Sequence, residues 1–101
     1  MMKSASIYSK LASIVREKGT LVDVVEASGG DREIYAIKDY VIILRTEPFS
    51  GKDVVIAIYH DEKPIYANKD AILEAFELLK LLETDSSPEI LESVYEDLKA
   101  L

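Results

Sequence analysis

The chain has 101 residues, no cysteine and a net charge of −7, with apolar residues at 49 % and charged residues at 31 %. That length supports a single domain, residues 1–101, with one core, and the composition is that of a folded domain with a solvating surface rather than a disordered segment. Lack of cysteine excludes disulfides, thiolate metal centres, iron-sulfur clusters and thiol nucleophiles, and a negative exterior repels phosphate, so nucleic acid is not an expected partner.

Residues 1–20 form the only basic stretch, with a net charge of +3 against −4 for residues 21–68 and −6 for residues 69–101. From Ser4 to Lys18, Ile7, Leu11, Ile14 and Val15 fall at helical spacing with Tyr8 and Ala12 beside them, and Gly19 follows as the residue that ends the helix. Lys3, Lys10, Arg16 and Lys18 are then expected on its solvated face.

The next stretch, KGTLVDVVEASGGDREIYAIK (18–38), has two readings. As strands, it draws on the β-branched Val22, Val24, Val25, Ile34 and Ile37, with Gly29 and Gly30 tolerating the positive φ a reversal needs. As helices, Thr20 with Asp23 makes a capping box, Val24, Val25 and Ala27 follow at helical spacing, and Gly29 sits at an inter-helix turn. With the hairpin downstream, residues 5–68 then resemble in outline the winged-helix regulators, a resemblance that implies duplex DNA as ligand and a recognition helix near residues 31–45. The pattern departs from those families at Ser28 and Gly30, which flank the turn glycine where apolar residues belong. It departs again at Asp31 and Glu33, where a recognition helix carries Arg, Lys, Asn or Gln. The strand reading leaves IYAIKDYVIIL (34–44) too long for one ordinary strand, so the chain must bend or turn at Lys38-Asp39 without a glycine.

YVIILRTE (40–47) is rich in β-branched residues, PFSGK (48–52) reads as a loop, and KDVVIAIYHD (52–61) alternates, placing Val54, Ile56 and Ile58 on one side and Val55, Ala57 and Tyr59 on the other. A turn at DEKP leads to a short return strand, IYAN, which Pro64 assigns to an edge or a strand start. His60-Asp61-Glu62 groups metal-capable side chains, but neighbours on a strand point to opposite sides, so His60 is read as a rim histidine with neither a metal-binding nor a catalytic role. SGKD (50–53) has no upstream glycine and leads into a strand, which rules out a phosphate loop. No cofactor is expected.

Two further helices close the chain. NKDAILEAFELLKLLE (68–83) carries Ile72, Phe76, Leu79 and Leu82 on one stripe while Leu73, Leu78 and Leu81 spread apolar surface beyond it. SSPEILESVYEDLKAL (86–101) starts with Ser87 as N-cap and Pro88 at the first helical position, and buries Ile90, Leu91, Val94, Tyr95, Leu98 and Leu101. The expected fold is therefore α+β: an N-terminal helix, an antiparallel sheet of four to five strands, and two C-terminal helices. Leu73, Leu78 and Leu81 are candidates for a homodimer contact. Tyr35, Tyr40, Tyr59 and Tyr66 either form an exposed platform at a protein interface or pack under the helices with their hydroxyls reaching water. The start of the chain shows no uninterrupted apolar signal region, no run reaches membrane-spanning length, and Gln is absent with Asn present once, so a cytoplasmic protein of a thermophile is expected. The function read from these features is a small acidic, non-enzymatic interaction or regulatory module that self-associates or binds another protein, with the winged-helix regulator as the alternative.

Overall fold

The structure, a computed structural model, describes residues 7–26, 30–68 and 88–101. Helix α1 (Ile7–Lys18) is followed by five strands, β1 (Thr20–Val25), β2 (Arg32–Ile37), β3 (Tyr40–Thr46), β4 (Asp53–His60) and β5 (Lys63–Ala67), and then by helix α2 (Pro88–Lys99). The strands form one antiparallel meander in the order β1-β2-β3-β4-β5, so each pairs with its neighbour in sequence.

Of the two readings of residues 18–38 the strand reading holds, with β1 and β2 paired. The expected reversal at Gly29 lies outside the described residues, and no recognition helix occupies residues 31–45, which carry β2, β3 and the turn between them. β2 and β3 join through Lys38 and Asp39, with Ile37 opposite Tyr40. A connection this short needs positive φ at its first central residue, and Lys38 supplies it at 58° although it is not a glycine. β4 and β5 also join through two residues, Asp61 and Glu62, but here both central residues have positive φ, at 52° and 69°.

Both helices lie on one face of the sheet. The core there joins Leu11, Ile14 and Val15 of α1 and Leu91, Val94 and Leu98 of α2 to Ile37, Ile42, Leu44, Val55 and Ile58 of the strands. The opposite face carries a smaller cluster in which Ile56, Ala57 and Ala67 are buried and Ile43, Val54 and Tyr59 pack around them. This corrects the simple alternation expected for β4. Ile43 pairs with Ala57 but Leu44 pairs with Val55, so Ile56 is an extra residue in the strand. The bulge sends Ile56 and Ala57 together to the opposite face and returns Val55 to the helix side. Leu101, expected on the buried face of α2, is exposed.

Gly19 closes α1 through its amide, which donates to Val15 O at 2.7 Å. A Cβ at this position would stand 2.6 Å from that carbonyl, so glycine is required there for room as the chain turns straight into β1. Arg16 is not the solvated residue expected from its place on the helix. Its guanidinium donates to Asp53 Oδ1 at 2.8 Å, to Glu33 Oε1 at 3.2 Å and to Thr46 Oγ1 at 3.2 Å, tying α1 to β4, β2 and β3. Burial lowers its pKa, but the hydrogen bond and charge of Asp53 and the charge of Glu33 outweigh that and leave it raised. Lys18, also expected in solvent, donates through Nζ to the carbonyls of Leu98, Lys99 and Leu101 at 3.4, 3.5 and 2.9 Å, satisfying the C-terminal end of α2. Among the described residues no helix is long and apolar enough to cross a membrane. The helix expected over residues 68–83 and the cap at Ser87 lie outside the described residues.

Candidate functional site

The first candidate is the edge strand β1. All six of its residues are exposed, including Leu21 at 50 %, Val22 at 63 %, Val24 at 43 % and Val25 at 46 %. Leu21 pairs with Tyr35 and Val24 with Glu33, on the helix side, while Val25 pairs with Arg32 on the other face, so apolar surface shows on both sides of the strand. β1 has β2 on one side and no strand on the other among the described residues, which leaves alternate backbone N–H and C=O groups facing outward. Two features blunt this edge. Val22 is a bulge, because Leu21 pairs with Tyr35 and Asp23 with Ile34, and the carboxylate of Asp23 accepts a hydrogen bond from the amide of Val24 at 2.8 Å.

The second candidate is the end of the sheet where the β2–β3 and β4–β5 turns meet. The amide of Asp61 donates to Asp39 O at 3.0 Å, locking one turn against the other. His60 Nε2 stands 3.2 Å from Asp39 Oδ2, and the imidazole lies stacked on Tyr40 with ring centroids 4.4 Å apart. That stacking follows from the register, since Tyr40 and His60 are directly opposite across β3 and β4. Asp39, His60 and Asp61 each bring a ligand atom to within 4.8 Å of the other two. The hydroxyl of Tyr40 donates to Asp97 Oδ2 of α2 at 2.7 Å. Burial, then Asp97, then the charges of Asp39 and Asp61 push the phenol up to about 12.

No family model, curated protein or solved structure matches the chain.

Of the four tyrosines, Tyr35, Tyr40 and Tyr66 are buried on the helix side and Tyr59 is half-buried on the opposite face, so the four do not make one exposed platform. Their hydroxyls find partners at the margin of the core. Tyr35 donates to Glu33 Oε1 at 3.1 Å, and the hydroxyls of Tyr66 and Tyr8 share a hydrogen bond at 3.2 Å. Asn68 Nδ2 adds bonds to Tyr8 Oη and Val55 O, each at 3.2 Å. Leu73, Leu78 and Leu81 lie outside the described residues. His60 does not converge with Glu62, its sequence neighbour; the structure brings it to Asp39, 21 positions earlier, through the pairing of β3 with β4. The alternation of β4 carried only half of that signal, because the other half required the glycine-free turn at Lys38-Asp39.

Proposed function

We propose that the protein is a small, acidic, non-enzymatic interaction module of the cytoplasm whose first partner is a second copy of itself, joined edge to edge through β1. The exposure of Leu21, Val22, Val24 and Val25 on one strand carries this reading. A strand with apolar side chains on both faces and open backbone groups on its outer side gains both ladder hydrogen bonds and burial when another strand is added. A two-fold arrangement with antiparallel β1 strands would make one continuous sheet. Asp23 restricts its register, because centring the pair on that residue would oppose two carboxylates, whereas centring on Val22 or Val24 sets Asp23 against Leu21 or Val25. The assembly also terminates itself. Among the described residues its outer edges would both be β5, where Pro64 as the second residue of the strand removes a donor.

Sedimentation equilibrium over a wide concentration range tests the reading. The expected result is a monomer–dimer equilibrium that Val24→Lys abolishes. Copies carrying a charge of −7 repel one another, so added salt is expected to strengthen the dimer. Binding to duplex DNA would weaken with salt instead. A wild-type chain that stays monomeric at the highest attainable concentration overturns the proposal.

A further inference from the structure

The end of the sheet where the two turns meet carries chemistry that self-association does not use. We propose that Asp39, His60 and Asp61 form a binding site for a divalent first-row transition ion of the zinc type.

The donor set is one imidazole nitrogen and two carboxylates from two connections of the chain, with all three ligand atoms within 4.8 Å of one another. In a tetrahedral site, nitrogen and oxygen ligands about 2.0–2.2 Å from the ion stand about 3.3–3.6 Å apart, so closing on a metal needs side-chain movements of up to about 1.5 Å. The 3.2 Å separation of His60 Nε2 from Asp39 Oδ2 is already close to that range.

Much of the ordering is done before an ion arrives. The His60 ring is held against Tyr40, and the main chains of Asp39 and Asp61 are joined by a hydrogen bond. The side chains of His60 and Asp39 remain 37 % and 41 % exposed, which leaves an ion a path in and room for water in the remaining positions. An imidazole among the ligands selects zinc, cobalt, nickel or copper over magnesium and calcium, which prefer oxygen alone. With three protein ligands and open positions, such a site suits an exchangeable ion.

His60 is the only histidine in the chain, so its ring resonances report on this site without ambiguity. The test is a titration of the full chain with zinc chloride, followed by those resonances and by the amides of residues 38–40 and 60–63. The expected result is a saturable shift at both places that an excess of magnesium does not reverse. His60→Ala is expected to abolish it, and Asp39→Asn and Asp61→Asn each to weaken it by about tenfold or more, while Glu96→Gln on α2 leaves it unchanged. Tyr40 loses its stacking partner in His60→Ala, so the exposed turn variant Asp61→Asn provides the second measurement with the fold intact. Zinc that leaves the His60 resonances unmoved, or that binds equally to the wild type and to His60→Ala, overturns the assignment.

Discussion

The two edges of one sheet are built differently. β5 ends in buried residues, Tyr66 and Ala67, carries Pro64 near its start, and is continued by Asn68, whose amide donates to Ile56 O at 2.9 Å. β1 has no buried residue although four of its six positions are large and apolar. Composition therefore does not distinguish the edges. What differs is placement: the helices pack over the strands from β2 to β5, and β1 lies beyond their cover. An apolar edge left in water either finds a partner or becomes a liability, and Asp23 and the bulge at Val22 are devices that limit how it pairs.

The largest effect is expected at the closed edge. Tyr66→Ala removes a buried ring and its bond to Tyr8, and should cost about 3–5 kcal/mol in denaturant unfolding while leaving the strength of association per folded subunit unchanged. Equal destabilisation by alanine at an exposed β1 position would erase the contrast. Next comes alkaline unfolding. Tyr40 is held protonated up to about 12 in the folded protein, against about 10 in the unfolded chain, so the folded state binds the extra proton between those values. Stability is full below pH ~10 and should fall by up to about 1.4 kcal/mol per pH unit as pH rises towards 12. Tyr40→Phe should flatten that part of the profile, and an unchanged slope would assign the loss to other groups. Smaller and of opposite sign is Glu62→Gly. With φ at 69° the glutamate sits in a region glycine adopts freely, and the substitution should add about 0.5–1 kcal/mol, read from the denaturation midpoint. Smallest of all, Val24→Lys should alter the stability of the isolated subunit by less than about 0.5 kcal/mol even as it removes the dimer. A large loss of subunit stability would mean that β1 is held by contacts of its own.

Local signals made α1, β3 to β5 and α2 legible in the sequence, through the apolar stripe of α1, the β-branched runs of β3 and β4, Pro64 in β5 and the Pro88 start of α2. β1 and β2 carried helix signals as well, in the Thr20–Asp23 capping box and Gly29, and only the pairing of the strands decides between them. What was not legible depends on register. Lys38 gives no sign that it will adopt positive φ, so the β2–β3 turn could be placed only by the excess length of residues 34–44. The extra residue at Ile56 breaks a pattern that reads as perfect alternation, since every residue around it is apolar and either face accepts it. Arg16 looked like one of four surface bases until Glu33 and Asp53 were brought beneath it by separate strands. For the same reason Asp39 could not be joined to His60 before β3 and β4 were known to pair with Tyr40 opposite His60.

A meander in which every strand meets its neighbour in sequence has a kinetic consequence. Hairpins close short loops at little entropic cost, so the sheet can assemble from its turns outward without waiting for distant segments. The docking of α1 on α2, with Lys18 reaching across to Leu98, Lys99 and Leu101, joins the two most widely separated parts of the described chain and is the contact left for last. φ-values near zero at Lys18 and Leu98, with high values in the β3–β4 pair, are the expected signature of that order.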